Sequence, residues 1–331
     1  LVRSIHASDM FTPTESSRNR PLRARSSGTI ATPRRTRLVE GGDDLVAQRA
    51  AAVRPNTERQ RQQAFEALAS DSRLLIQADG AVKILSPQML GRLHFDAATE
   101  LGEHPSPARL ILPIAEQPLL LAFTVSGRVA LLRWEFAGQQ PGKLERFLPD
   151  SLEGEQVVQV LPLPSQGSLG LLSSDGRFKR LPVEDFQELS GRATSVLKLK
   201  EGVTLRRVVS GQEGDTLVVA SSTGRMLRLR LNEANLPLMG RAAQGPMVMR
   251  LLPGEAVVGA ACTGTSVVLS SHYGQIKRLN TSEIRLCQRG DLGQIGLRFE
   301  QRGDHLVDLC SGLPALVSGV VSDSRNFRFA P

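Results

Sequence analysis

Clusters of arginine and lysine recur directly after glycines in the second half of the chain. Three of them are Arg177-Phe-Lys-Arg180, Arg225-Met-Leu-Arg-Leu-Arg230 and Gln275-Ile-Lys-Arg278. Because Lys and Arg neutralise phosphates without reading bases, the pattern predicts a nonspecific nucleic-acid surface. With three further arginines that stand beside other glycines, its predicted members are Arg177, Lys179, Arg180, Arg192, Arg225, Arg228, Arg230, Arg241, Lys277, Arg278 and Arg289.

The second cluster indicates how a strand would present these charges. Alternation along a strand sends Arg228 and Arg230 to one face. The other face takes Leu227, Leu229 and Leu231. Repeated on neighbouring units, such strands would form a basic belt that grips and bends a DNA duplex through its phosphates. The alternative is a solvated strand face whose charges protect an edge from aggregation, and the acidic residues between the clusters fit that alternative.

The net charge of +8 does not by itself support a nucleic-acid surface. Residues 1–61 hold 12 Lys and Arg against 6 Asp and Glu, whereas the rest of the chain holds 29 against 27. Only the local arrangement of basic residues therefore argues for such a surface. Aromatic residues make up 4% of the chain, so stacking on single-stranded bases is not expected as the main binding mode.

The sequence shows no constellation that would carry catalysis or hold a cofactor. It lacks a G-x-S-x-G motif, a phosphate-binding loop, a dinucleotide fingerprint and a zinc-ligand spacing. The acidic pair Asp43-Asp44 has no partner base nearby in sequence, and the only tyrosine, Tyr273, is expected to pack at a turn. An enzyme with its site in a propeller channel is a third possibility that no residue supports.

Five glycines divide most of the chain into units of about 50 residues. They are Gly80, Gly127, Gly176, Gly224 and Gly274, which are 47, 49, 48 and 50 positions apart. A leucine stands five positions after each glycine, at Leu85, Leu132, Leu181, Leu229 and Leu279. A fixed period of this length predicts a repeat architecture, in which each unit buries its apolar face against its neighbours.

Each period is predicted to contain a β-hairpin, because apolar runs precede and follow the glycine. Two further turn signals per period give about four strands, which is typical of a propeller blade. The predicted blades lie near 73–117, 118–165, 166–213, 214–262 and 263–312, with a partial sixth at 313–331. Residues 1–33 are predicted to be a disordered basic tail, and 34–72 a linker with a short helix.

The composition argues for a chain that works in a reducing cytoplasm. The longest apolar segment, Leu119–Val125, is far shorter than the roughly 20 residues of a membrane helix. The three cysteines, Cys262, Cys287 and Cys310, form no CxxC pair, so neither a structural zinc nor another metal is expected. Because the chain begins with leucine, we expect it to be a piece of a longer protein.

Residues 34–331 resemble the C-terminal domain of the A subunit of bacterial type IIA topoisomerases, DNA gyrase and topoisomerase IV. The most specific stretches are Ser190-Gly-Arg-Ala-Thr-Ser-Val-Leu-Lys-Leu-Lys-Glu-Gly202, Met239-Gly-Arg-Ala-Ala-Gln-Gly245 and Ser271-His-Tyr-Gly-Gln-Ile-Lys-Arg278. The resemblance implies an all-β, six-bladed β-pinwheel, a propeller-like fold with about four strands per blade, whose blades exchange strands and whose basic rim wraps duplex DNA.

The resemblance also implies partners and a division of labour. Strand cleavage in this family uses a tyrosine of the upstream core, which Tyr273 does not match, so this chain is expected to bind DNA and cleave nothing by itself. The implied partners are double-stranded DNA, the upstream catalytic core and the ATPase B subunit. The implied location is the bacterial nucleoid in the cytoplasm. ATP and Mg are used elsewhere in the holoenzyme, and no cofactor is expected in this chain.

One motif of the family is altered. Gyrases carry a seven-residue box, Q-R-R-G-G-K-G, after the first blade, whereas this chain has Gln88-Met-Leu-Gly-Arg-Leu93 there. The sequence most similar to this box lies after the fifth hairpin and keeps Gln288, Arg289 and Gly290 as a degenerate box. A gyrase with a degenerate box and a relaxing or decatenating relative fit equally well. The alternative outside this family is a propeller-type protein-interaction scaffold.

Overall fold

The computed structural model describes residues 58–77, 79–92, 108–189 and 191–311. The predicted basic tail at 1–33, the first part of the predicted linker and the partial sixth blade at 313–331 lie outside these residues. Within the linker segment, helix α1 occupies Glu58–Glu66 and buries Ala64. Two shorter helices follow, α2 at Pro87–Arg92 and α3 at Glu184–Gln187.

Five antiparallel hairpins repeat along the chain, because two apolar strands meet at each glycine turn. They pair β1 (Arg73–Gln77) with β2 (Ala81–Leu85), β4 (Leu120–Thr124) with β5 (Arg128–Leu132), β8 (Ser168–Ser173) with β9 (Phe178–Pro182), β12 (Thr216–Ser221) with β13 (Arg225–Arg230), and β15 (Ser266–Ser271) with β16 (Ile276–Asn280). The five turn glycines have φ between 79° and 89°, a region that other residues rarely adopt. The predicted hairpins are therefore confirmed.

A third strand joins each hairpin on the side of its first strand. These strands are β3 (Ala108–Pro113), β7 (Val157–Pro162), β11 (Leu205–Gly211), β14 (Val257–Cys262) and β18 (Leu306–Ser311), and each pairs antiparallel within its own repeat. Successive third strands contact one another in the order β7, β11, β14 and β18. They therefore lie nearest the axis, and the described residues form five blades of a β-propeller.

The fourth strand of a blade comes from the following repeat. β6 (Gly142–Lys143) pairs with β2 of the first blade, β10 (Thr194–Ser195) with β5 of the second, and β17 (Gln294–Ile295) with β13 of the fourth. In the third blade a single bridge between Arg177 and Met247 takes this position. We call these four segments the donated strands. They confirm the strand exchange that the resemblance implies.

The apolar side chains of adjacent blades pack into shared clusters. Phe178 of the third blade, for example, packs with Leu217 and Leu227 of the fourth, and similar clusters join the other adjacent blades. The recurring leucine is buried in every blade, with exposed fractions of 5%, 1%, 0%, 0% and 6% at Leu85, Leu132, Leu181, Leu229 and Leu279. Burial of a leucine side chain contributes about 1.5–3 kcal/mol, which explains why this position is the same in each repeat.

Polar side chains also link the third strands near the axis. Gln159 on β7 donates through Nε2 to Val208 O on β11 (2.8 Å) and accepts from Val208 N through Oε1 (2.9 Å). Arg207 on β11 forms an ion pair with Asp308 on β18, two blades away. Gly259 of the intervening β14 lies close under this pair, since a Cβ there would be 3.3 Å from Arg207 Nη2. These links fix the blades relative to one another.

Candidate nucleic-acid interface

Strand β13 shows the predicted alternation of core and charge. Leu227 and Leu229 are fully buried, whereas Arg228 is half-buried and Arg230 is exposed. The two faces follow from the two-residue period of a strand. The predicted split of this strand into an apolar and a basic face is therefore confirmed.

Three of the predicted phosphate contacts are buried inside the protein. The exposed fractions of Lys179, Arg180 and Arg225 are 0%, 3% and 7%. The sequence predicts these side chains on an outward strand face, but segments of the following repeat cover them. Because an unpaired buried cation is costly, each side chain must find its acceptors within the protein.

Arg225 is held by a carboxylate and two carbonyls. Its Nε donates to Glu255 Oε1 (2.9 Å), Nη2 donates to Glu255 Oε2 and to Arg250 O (3.1 Å), and Nη1 donates to Leu292 O of the next repeat. Burial alone would raise the pKa of Glu255, but the hydrogen bonds from Arg225, from Leu252 N–H and from nearby hydroxyls lower this pKa to about 2. Arg225 thus joins its own blade to the donated segment.

Lys179 and Arg180 perform a similar role in the third blade. Lys179 Nζ donates to Val196 O (2.7 Å) and Arg241 O (2.6 Å), and burial lowers its pKa to about 8. Arg180 donates to the Leu236 carbonyl (2.8 Å) and forms an ion pair with Glu213 (3.1 Å). Since these cationic groups are already satisfied, we leave all three buried residues out of the proposed DNA surface.

The other eight predicted contacts remain accessible at the surface. Arg192, Arg230, Arg241, Lys277, Arg278 and Arg289 are exposed, and Arg177 and Arg228 are half-buried. Some of the exposed side chains also bond to the backbone, as when Lys277 Nζ donates to Gly296 O (2.9 Å). Such bonds hold the cation in place without covering it.

The three residues of the degenerate box lie in two different environments. Gln288 and Arg289 are exposed, whereas Gly290 is half-buried with φ at 80°. The Gly290 N–H donates to Val248 O (2.9 Å). Gly290 therefore makes a turn that fixes the loop against the preceding repeat, and Gln288 and Arg289 face solvent.

The structure also brings out a set of basic residues that the sequence interpretation missed. Arg146, Lys198, Arg250 and Arg298 are all exposed. Each lies two positions after a residue whose backbone N–H donates to the carbonyl of a hairpin glycine. These bonds run from Leu144 to Gly80 (2.8 Å), from Val196 to Gly127 (3.0 Å), from Val248 to Gly176 (2.8 Å) and from Gly296 to Gly224 (2.8 Å). Their spacing of 52, 52 and 48 residues follows the repeat, and that period was the signal that could have identified them.

On three successive blades, one exposed cation precedes the donated strand and another follows it. The pairs are Arg192 with Lys198, Arg241 with Arg250, and Arg289 with Arg298. We call them the edge pairs. The two members of an edge pair thus flank the outermost strand of their blade along the chain, and both are exposed.

Other kinds of site are not found in the described part of the chain. Its side chains include no group of three or more His, Cys, Asp or Glu that could hold a metal ion. Among the same residues, no helix is long and apolar enough to cross a membrane. Cys262, Cys287 and Cys310 are free thiols, and burial raises the pKa of Cys262 to about 12, which disfavours its thiolate form.

Comparison with known proteins identifies the repeat region. The family model described as "DNA gyrase C-terminal domain, beta-propeller" matches residues 171–210, 215–263 and 265–309. The A subunit of DNA topoisomerase 4 from Synechocystis sp. is 28% identical over 295 residues, which cover 78% of this chain and 32% of that protein. The A subunit of DNA gyrase from Ureaplasma parvum is 30% identical over 199 residues, which cover 57% of this chain and 23% of that protein. The chain thus spans about a third or less of these relatives.

Solved structures share the fold at low sequence identity. The crystal structure of the C-terminal domain of DNA topoisomerase IV gives a TM-score of 0.58 at 17% identity, covering 76% of this chain and 78% of that one. The structure of a DNA gyrase A C-terminal domain gives 0.54 at 15% identity, covering 72% and 98%. Together, these findings show that the chain has the β-propeller fold of these C-terminal domains, and that its repeats between residues 171 and 309 match the family of the DNA gyrase C-terminal domain.

Proposed function

We propose that this chain binds duplex DNA without sequence preference along the outer edges of its blades and bends the duplex as it follows them. The observation that carries the proposal is the set of edge pairs, which present two exposed cations per blade on three successive blades. Contacts of this kind act through release of counterions from phosphates. Binding should therefore weaken steeply as salt is added.

Bending follows from the arrangement of the blades. Edge pairs on neighbouring blades face outward from a common axis, so a duplex that touches several of them must curve. The proposal needs no base stacking, since aromatic residues are few and Trp134, the only tryptophan, is fully buried. Such binding resembles other cases in which phosphate contacts and DNA deformability replace base readout.

In the parent enzyme, we propose that this domain belongs to the A subunit of a type IIA topoisomerase and wraps DNA for it. Cleavage and ATP hydrolysis with Mg would belong to the upstream core and to the ATPase B subunit, and this chain would need no cofactor. We also propose that residues 313–331 form part of a sixth blade and that the domain acts at the bacterial nucleoid. The degenerate box at Gln288, Arg289 and Gly290 leaves supercoiling and decatenation both open as the activity of the holoenzyme.

A titration of a short linear duplex with the whole chain tests the DNA surface. The double variant Arg250→Gln/Arg298→Gln should bind more weakly and lower the slope of log affinity against log salt by about 2. The matched control is Arg206→Gln/Arg302→Gln, which removes two exposed cations outside the edge pairs. An equal loss in the control would contradict the edge pairs, and no affinity of the unaltered chain at low salt would contradict DNA binding itself.

A protein-interaction scaffold is the second candidate, because apolar side chains also stand at the outer edge. Leu286 and Ile295 are each 49% exposed on either side of the loop that carries Arg289. Exposed apolar groups that cluster on an outer surface are typical of protein contacts. Duplex binding that persists unchanged after loss of all three edge pairs would favour the scaffold.

A further inference from the structure

The hairpins of the second and fourth blades share an internal guanidinium site. The residue after the hairpin glycine is an arginine, and it pairs with an acid from the turn before the third strand. Arg128 Nη1 lies 2.5 Å from Glu155 Oε1, and Arg225 forms an ion pair with Glu255. The acid also accepts hydrogen bonds from hairpin hydroxyls. In each of these two hairpins, one carboxylate is thus paired with one guanidinium.

The fifth blade keeps the acid but lacks the arginine. Asp304 accepts from Ser271 Oγ (2.6 Å) and from Tyr273 N (3.0 Å), and the first of these bonds repeats the one from Ser221 Oγ to Glu255. The position of the arginine is taken by Gln275, whose Nε2 donates to Arg298 O (3.2 Å). This bond repeats the one from Arg225 to Arg250 O. Among the described residues, no Lys or Arg forms an ion pair with Asp304.

A groove lies where the arginine is missing. It has a volume of about 170 Å³ and is lined by Tyr273, Gly274, Gln275, Glu300, Gln301 and Asp304. Gln275 Oε1 is buried and has no hydrogen-bond donor in the described part of the chain. Tyr273 is 47% exposed at the edge of the groove. Two carboxylates, an acceptor amide and an aromatic ring therefore surround a space that a guanidinium fills in sibling blades.

We propose that this groove binds the guanidinium of an arginine side chain presented by a partner protein. A carboxylate recognises guanidinium through parallel N–H···O bonds, and a tyrosine ring adds a cation–π contact. An arginine is favoured over a lysine, because a planar group with five donors matches both the carboxylate and the amide oxygen. The groove itself is not expected to hold DNA, because the acids that line it repel phosphate.

The single tyrosine of the chain allows a direct test. Labelling with 3-fluorotyrosine gives one ¹⁹F NMR signal, at Tyr273 beside the groove. Titration with L-arginine amide should shift this signal in a saturable way, with a dissociation constant on the order of 1 mM for one small ligand. Lysine amide should bind several-fold more weakly.

Two variants separate the groove from a general charge effect. Gln275→Arg should fill the groove from within and abolish the saturable shift, whereas the control Gln212→Arg adds the same charge at an exposed position of another blade and should leave it intact. Glu300→Gln should weaken binding without disturbing the hairpin. A shift that never saturates, equal binding of lysine amide, or unchanged binding in Gln275→Arg would overturn the proposal. These outcomes do not decide whether the chain binds DNA, which the duplex titration tests separately.

Discussion

At the scale of single residues, the structure separates basic side chains that are buried and hold the fold from those that are exposed at the surface. Lys179 belongs to the first kind, because its ammonium group is fully buried between the carbonyls of Val196 and Arg241. Lys179→Met should lower the free energy of unfolding by about 1–3 kcal/mol, since two buried acceptors lose their donor. Urea denaturation measures this loss. Duplex affinity of the folded variant should stay unchanged, and weaker binding at unaltered stability would contradict this assignment.

The buried pair of Arg225 and Glu255 makes stability depend on pH. The folded-state pKa of Glu255 is about 2, below its usual value of 4.5. The ionised carboxylate therefore stabilises the fold above about pH 4.5, and this contribution is lost as the pH falls towards 2. The free energy of unfolding should fall more steeply over this range in the unaltered chain than in Glu255→Gln. Parallel pH profiles of the two proteins would contradict the prediction.

At the scale of elements, the segment from the next repeat determines how much stability is lost when a hairpin glycine is replaced. Gly224 and Gly214 both have positive φ, at 80° and 89°. A Cβ on Gly224 would meet the carbonyl of Leu297 beyond the donated strand, whereas a Cβ on Gly214 would meet nothing within 4 Å. Gly214→Ala should cost about 1–2 kcal/mol for its backbone conformation alone, and Gly224→Ala clearly more. Urea denaturation measures the free energy of unfolding of both variants. Equal losses would show that the contact at Leu297 does not constrain the hairpin turn.

The elements also show what the sequence could and could not predict. The hairpins followed from local signals, namely alternation, a turn glycine and a leucine that is buried in each blade. The donated strands are at most two residues long, as at Thr194–Ser195. This is too short for any periodic pattern, so their exchange was predicted only from the resemblance. The burial of Arg225 could not be foreseen, because its partner Leu292 lies 67 positions away in another repeat.

At the scale of the whole molecule, exposed cations recur from blade to blade, although the repeats carry little of the net charge. Most of the excess of +8 lies in residues 1–61, yet the repeats present exposed cations at matching positions on successive blades. Contacts between the third strands, including the ion pair of Arg207 with Asp308, hold these blades at fixed angles. A duplex that binds several edge pairs is thus expected to follow a defined curve, which is the property that DNA wrapping requires.

A topology assay tests this central claim most directly. The whole chain is bound to nicked circular DNA, the nick is ligated, the protein is removed and the linking number is measured. The unaltered chain should shift the linking number, and a variant with glutamine at all six positions of the edge pairs should not. No shift by the unaltered chain when the DNA is saturated, or an equal shift by the variant, would contradict DNA wrapping by the blade edges.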